Sequence, residues 1–314
     1  LRSFAVQPTG PAVVPARVVL DPLGAPQADM TPRAPGQPVP IGQAREIAAT
    51  ADAAATTTWL AWQPLAAGGQ AAAITFRSQG AAGLRLALRV DRWPAQAVLR
   101  VFGSEGDPAR LTAAEVQEGL ARSAFAPGTG ASAGLFWLPP TAGEETTLQI
   151  ELPAGADAAG VSLAVPQLSH QWWTPVSARA ATEPVTPRVG TCHLDAQCEA
   201  GWSQEANATA RVTFQSGGTP YTCTGTLMAN ANRTGTPYFL TANHCVGNQA
   251  EANTVVTYWF YRSTACNSGV GSTPVQVSGG ATLLHTSGDS DVSFMRLNQN
   301  PPVGAWYAGS LVGE

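Results

Sequence analysis

The sequence predicts an all-β protein built in two parts, and three observations carry that reading. Short apolar runs recur along the chain with Gly, Pro and Asp between them, the pattern of several short strands joined by turns. One run, Leu84-Arg85-Leu86-Ala87-Leu88-Arg89-Val90, alternates strictly, which is the period of a half-buried strand with Arg85 and Arg89 facing outward. All five cysteines, at 192, 198, 223, 245 and 266, fall in the last part of the chain. The part before residue 192 holds no cysteine.

Residues 1–55 are rich in Pro, Ala and Gln and read as an extended or loosely docked lead segment, with Val18–Leu20 able to add one strand. Residues 56–173 read as a β-sandwich. Its strands are expected at Ala73–Phe76, Leu84–Val90, Ala97–Phe102, Leu135–Leu138, Thr147–Leu152 and Val161–Val165. One helix is expected from Thr112 to Ser123, because Thr112 followed by Glu115 three residues later forms a capping box. His170 has no partner for chemistry near it in sequence and reads as structural. Residues 174–188 hold Pro175, Pro184 and Pro187 without an apolar period and read as a linker. Residues 189–314 return to strands, expected at Ala210–Phe214, Thr224–Met228, Tyr238–Leu240, Thr254–Tyr261, Ala281–Leu284 and Val292–Leu297.

Composition narrows the function. Charged residues make up 12% and the net charge is -4, so nucleic acid and anionic membrane surfaces are not expected partners. No apolar run approaches the about 18 residues of a membrane-crossing helix. The start at Leu1 shows no basic stretch followed by an apolar run, so no secretion signal is expected within these residues. Clustered cysteines point to an oxidising, extracellular setting. All 17 basic residues are arginine. High Ala and Gly content makes codon bias the simpler cause; a precursor that resists a lysine-specific product is the sharper one.

The segment Tyr238-Phe239-Leu240-Thr241-Ala242-Asn243-His244-Cys245 is the most informative. A buried strand runs straight into a histidine beside a cysteine that can pin the turn. Histidine titrates near neutrality without tuning, as a general base requires. Leu-Thr-Ala-x-His-Cys resembles the histidine box of trypsin-like serine proteases. From Val189 onward the chain resembles the first half of a bacterial lysyl endopeptidase-type protease. The resemblance rests on Cys192-His193-Leu194-Asp195-Ala196-Gln197-Cys198, Tyr221-Thr222-Cys223-Thr224-Gly225-Thr226-Leu227, Val256–Tyr261, Cys266 and Ser290–Asn298.

That resemblance implies an N-terminal β-sandwich-like prodomain followed by the first β-barrel of a chymotrypsin-like fold, with the second barrel missing. It implies a secreted serine endopeptidase zymogen, cutting after Lys or Arg, with a Ser-His-Asp triad. His244 takes the base role and Asp291 the aspartate role; Asp289 competes, but the spacing of Asp291 to Leu297 and Asn298 fits the family better. Ser290 follows Gly288-Asp289 yet lacks the glycines a nucleophile loop needs, so the expected serine lies beyond Glu314. This sequence would then hold two of three catalytic groups and be inactive alone. Cys223–Cys245 and Cys198–Cys266 are the implied bridges, and Cys192 is left unpaired. A zinc site from Cys192, His193 and Cys198 departs from usual ligand spacing, so no metal or cofactor is expected. Cleavage is expected at Arg188–Val189, with Arg179 competing. Expected partners are protein or peptide substrates and the chain's own prodomain, as intramolecular chaperone or inhibitor; the protein is expected to be a monomer. The rival reading is a non-catalytic adhesion or carbohydrate-binding protein, with Trp172-Trp173 as a binding face.

Overall fold

A computed structural model of the protein describes residues 12–23, 37–105, 108–125, 134–176 and 194–309. In chain order, β1 is Ala16–Val19, β2 Val39–Pro40, β3 Gly42–Glu46, α1 Ala53–Thr57, β4 Gln63–Pro64, β5 Gln70–Arg77 and β6 Gly83–Arg92. β7 (Val98–Glu105), β8 (Ala109–Thr112), α2 (Ala113–Phe125), β9 (Phe136–Trp137), β10 (Thr141–Leu152) and β11 (Ser162–Gln171) follow. The last part contains α3 (Ser203–Ala208), β12 (Thr209–Ser216), β13 (Thr219–Met228), β14 (Tyr238–Thr241), α4 (Gln249–Ala252), β15 (Val256–Trp259), β16 (Val275–Ser278), β17 (Ala281–Ser287) and β18 (Val292–Leu297). The fold is all-β. Two compact units form among the described residues: 12–23, 44–105, 108–124 and 134–172 make one, and 37–43, 125, 173–176 and 194–309 make the other.

The N-terminal unit is a 10-stranded sheet in the order β1-β5-β10-β6-β11-β3, with β4, β7, β8 and β9 attached at its sides. β10 links its layers: Thr141 and Ala142 pair with β6, while Thr146–Glu151 pair with β7. Ile74, Phe76, Leu84, Leu86, Leu88, Leu99, Leu148 and Ile150 meet in its core. α2 begins as its capping box requires: Thr112 N donates to Glu115 Oε2 at 2.7 Å, and Glu115 N donates to Thr112 Oγ1 at 3.3 Å. Arg85 corrects the sequence reading. It is 2% exposed rather than outward, and its Nε donates to Leu138 O at 2.6 Å. Strict alternation marks one apolar face of β6, but Ala87, Leu135 and Trp137 cover the other. Arg89 is exposed as expected.

The second unit holds an 8-stranded sheet in the order β16-β15-β12-β13-β14-β18-β17, with β2 attached to β13. Its outermost strands, β16 and β17, are consecutive in sequence, and Gly279–Gly280 joins them, so the sheet curls into a half-barrel. Gly280 has φ +73°, its N donates to Val255 O at 3.1 Å, and a Cβ there would lie 2.4 Å from Asn253 O. Only glycine fits that corner. Val212, Phe214, Leu227, Phe239, Val246, Trp259 and Met295 fill the interior. Fully burying side chains of this size contributes about 1.5–3 kcal/mol each. β16 was not expected from sequence; its alternation, Val275-Gln276-Val277-Ser278, spans only four residues, and Val275 is exposed at the sheet edge. On the outer side of β12, Arg211 lies between two rings, 4.9 Å from the Trp173 centroid and 5.2 Å from that of Tyr261. Trp173 thus packs against this unit. Among the described residues no helix is long and apolar enough to cross a membrane.

His170 is buried, and its Nδ1 meets Ser78 Oγ at 2.7 Å. Arg45 Nη1 donates to the same Oγ at 2.7 Å, which leaves the hydroxyl proton of Ser78 available to the ring. That arrangement suits a neutral imidazole. Burial, then the Arg45 charge, lowers its pKa from 6.5 to about 4, against a smaller opposing pull from Glu144. A depressed histidine pKa means the unfolded chain takes its proton first. The contribution is full above pH 6.5 and falls away as pH drops toward 4, a total of about 3 kcal/mol. Urea unfolding across this window should show a steeper loss for the wild type than for His170→Gln. Equal slopes would remove His170 from the acid response.

Candidate active site

The site begins with β14. Tyr238–Thr241 pairs with Arg296–Ser293 of β18 on one side and Met228–Thr226 of β13 on the other. Phe239 is fully buried edge-on to Trp259, with ring centroids 6.1 Å apart. It also fills the space over Gly225, where a Cβ would lie 2.2 Å from its ring. This packing fixes where β14 ends. Thr241 Oγ1 then donates to Thr224 O at 2.8 Å, and the chain leaves the sheet through Ala242 and Asn243 to His244. Cys245 is bonded to Cys223 across a separation of 22 residues. Closing a loop of that length stabilises the fold by about 3 kcal/mol in the chain-entropy view.

Asp291 arrives from the other direction. β17 and β18 form a hairpin whose turn runs Gly288-Asp289-Ser290-Asp291, and Asp291 takes the left-handed conformation with φ +49°. Aspartate is among the few residues that tolerate this region. Its carboxylate receives two bonds from one residue: His244 backbone N donates to Oδ1 at 2.9 Å, and His244 Nδ1 lies 2.7 Å from Oδ2. Those bonds, the backbone one first, hold the carboxyl below the usual carboxylate range. An ionised carboxylate accepts only, so Nδ1 carries the proton and Nε2 keeps its lone pair. The pair is open to solvent, with the His244 side chain 28% and that of Asp291 51% exposed. Asp289 makes no bond to His244. Ser290 is held by the turn, its N donating to Ser287 Oγ at 3.4 Å.

A partly buried hydroxyl relay beside this pair is not marked by any motif. Asn243 Nδ2 donates to Thr286 Oγ1 at 2.6 Å, Thr286 Oγ1 lies 2.7 Å from Ser293 Oγ, and Ser293 Oγ donates to Val246 O at 2.6 Å. Each hydroxyl can donate once and accept once along this path. The relay joins the residues flanking His244 to the residue two after Asp291. The one available signal was a serine at an inward position of β18, between Asp291 and Met295.

Cys198 is bonded to Cys266 across 68 residues. Asp195 supports that link by accepting from Gln197 N at 3.0 Å and Asn267 N at 2.9 Å. Cys192, His193, Arg179, Arg188 and Val189 lie outside the described residues. With Cys198 in a disulfide, the paper zinc set loses a thiolate. Cys223, His244 and Cys245 also lie close together, but their two sulfurs are bonded to each other and leave only the imidazole as a ligand.

A disulfide-pinned histidine clamped by a hairpin aspartate on a curled antiparallel sheet defines an all-β, chymotrypsin-like half-barrel. Residues 187–313 match the lysyl endopeptidase C-terminal domain family, and residues 19–172 match the lysyl endopeptidase N-terminal domain family. A lysyl endopeptidase of Pseudomonas aeruginosa is 31% identical over 294 residues, covering 90% of this chain and 60% of that protein. The chain belongs to the lysyl endopeptidase family. It spans 60% of the length of that relative.

Ser293 gives a direct test of the relay. Ser293→Ala leaves the buried Val246 O without the Ser293 hydroxyl, which costs about 1–3 kcal/mol. Chemical denaturation should show that loss, while Ser290→Ala changes stability by less than about 0.5 kcal/mol. Equal stability of wild type and Ser293→Ala would show that the relay does not hold the site.

Proposed function

We propose that this chain is the precursor portion of a secreted serine endopeptidase, in which His244 is the general base and Asp291 its orienting partner. The observation that carries the reading is the two-bond clamp of Asp291 on His244. It leaves Nε2 free to take a serine proton and later return it to the leaving amine, while the aspartate steadies the imidazolium. Among the described residues no hydroxyl is bonded to Nε2. In the complete enzyme the nucleophile is a serine outside the 314 residues of this sequence. Its hydroxyl oxygen adds to the scissile carbonyl, the amine leaves with the proton held by His244, and water releases the acyl group by the same cycle.

The substrates are proteins and peptides cut after Lys or Arg. A strictly lysine-specific enzyme cannot mature this lysine-free chain by itself, so processing at Arg188–Val189, or at Arg179, requires tolerance of arginine or a second protease. The N-terminal unit serves as prodomain, chaperone or inhibitor of its own enzyme. The two disulfides favour an extracellular setting, and we take the enzyme to act as a monomer.

Two measurements check this. Purified 1–314 should hydrolyse no peptide amide; activity blocked by serine-directed reagents would bring Ser290 back as nucleophile. In the complete enzyme, Asp291→Asn should lower kcat by about 10⁴-fold with little change in KM, and His244→Ala should be at least as damaging. A crippled Asp289→Asn beside a nearly normal Asp291→Asn would reverse the assignment.

A further inference from the structure

β13 has two edges. One pairs with β12 along its whole length, from Ser216↔Thr219 to Thr209↔Thr226. The other pairs with β14 only between Thr226 and Met228, after which β14 turns away into His244. The lane from Thr224 back to Pro220 is therefore open to a strand from elsewhere. In this protein β2 fills it, running antiparallel: Val39 pairs with Thr222 and Pro40 with Tyr221, and Ile41 N donates to Pro220 O at 2.9 Å.

The composition of that strand fits the lane. The run is Gln37-Pro38-Val39-Pro40-Ile41. Hydrogen-bonded positions in an antiparallel pair alternate, so Ile41 opposite Pro220 places Val39 in the bonded set too. Pro38 and Pro40 then occupy the positions whose missing N–H groups face away from β13, where an edge strand tolerates proline. The outer edge of β2 cannot extend the sheet further. Ile41 is 3% exposed, which anchors the segment. Cys223, the residue after Thr222 in β13, is bonded to Cys245, and the Cys223 sulfur lies within 4.8 Å of a His244 ring nitrogen. Continued in register, Pro38 lies opposite Cys223, so the segment points at the histidine turn. Residues 34–44 contain no Lys or Arg, so an enzyme that cuts after basic residues finds no bond to cut there.

We propose that Gln37–Ile41 is a built-in inhibitory strand that occupies the peptide-docking lane of β13 beside His244. The occupant is this segment, and the recognition is strand addition: main-chain bonds give the affinity, and the alternating prolines make the strand a cap. After cleavage of the linker the segment keeps its hold without a covalent connection. The docking stands on the ladder; its inhibitory role rests on the proteolytic reading above, and the two are tested separately.

For docking, amide hydrogen exchange is measured on 1–314, its Val39→Pro variant and its Val39→Thr variant. Val39→Pro deletes the N–H aimed at β13, and Val39→Thr keeps it. The Thr222 amide, which faces β2, should exchange at least about tenfold faster in Val39→Pro than in wild type, with Val39→Thr like wild type. Identical exchange in all three means β2 does not hold this edge, and the proposal fails. For inhibition, a synthetic peptide of residues 37–44 is added to the complete mature enzyme. Competitive inhibition that is lost in the Val39→Pro peptide supports the proposal; unchanged hydrolysis at millimolar peptide overturns the inhibitory role. An enzyme inactive on every substrate sinks the proteolytic reading instead, and exchange alone then decides the docking.

Discussion

The site depends on one carboxylate that binds the same residue twice. Asp291 accepts from both the backbone N–H and the ring of His244. The ring bond alone would set the tautomer but let the turn drift. The backbone bond fixes the turn itself, so position and protonation are set together. Around it the fold supplies constraints from three sides. Cys223 ties Cys245 to β13, Phe239 under Gly225 ends β14 at a fixed point, and the Asn243-Thr286-Ser293 relay holds Val246 to β18. No member of this set is strong alone. Their effect is that His244 has one place to go.

Openness of the pair follows from the same geometry. The clamp sits at a sheet end, on a hairpin turn and a strand exit, with both side chains partly in water. Solvent screens the attraction between exposed ionic groups. The clamp therefore works through hydrogen-bond geometry more than through charge.

Much of this could be read from residues alone, for physical reasons. Phe239, Trp259, Met295 and Leu297 sit in strands whose inward positions are apolar, and period-two patterning reports that directly. Thr112 and Glu115 announced α2 because a capping box is local chemistry. What escaped was non-local. Arg85 is buried because a second layer covers β6, and no pattern within β6 shows its neighbours. Val39 was hidden by the prolines on either side, which argue against a strand until its register shows them facing outward. Ser293 looked like any polar residue in a strand; its inward face matters because Val246 O lies there. Asp291 was picked out by its resemblance to the family's aspartate before an alternating strand, yet its left-handed backbone has no sequence mark.

The central claim is that Asp291 holds the proton of His244 on Nδ1 and leaves Nε2 as the base. The most direct measurement is the ¹⁵N and ¹H NMR signature of the His244 ring in 1–314 at alkaline pH, where the ring is neutral. The account predicts a protonated Nδ1 with a strongly downfield proton, an unprotonated Nε2, and loss of the downfield signal in Asp291→Asn. A proton resident on Nε2, or a ring spectrum that Asp291→Asn leaves unchanged, would contradict it.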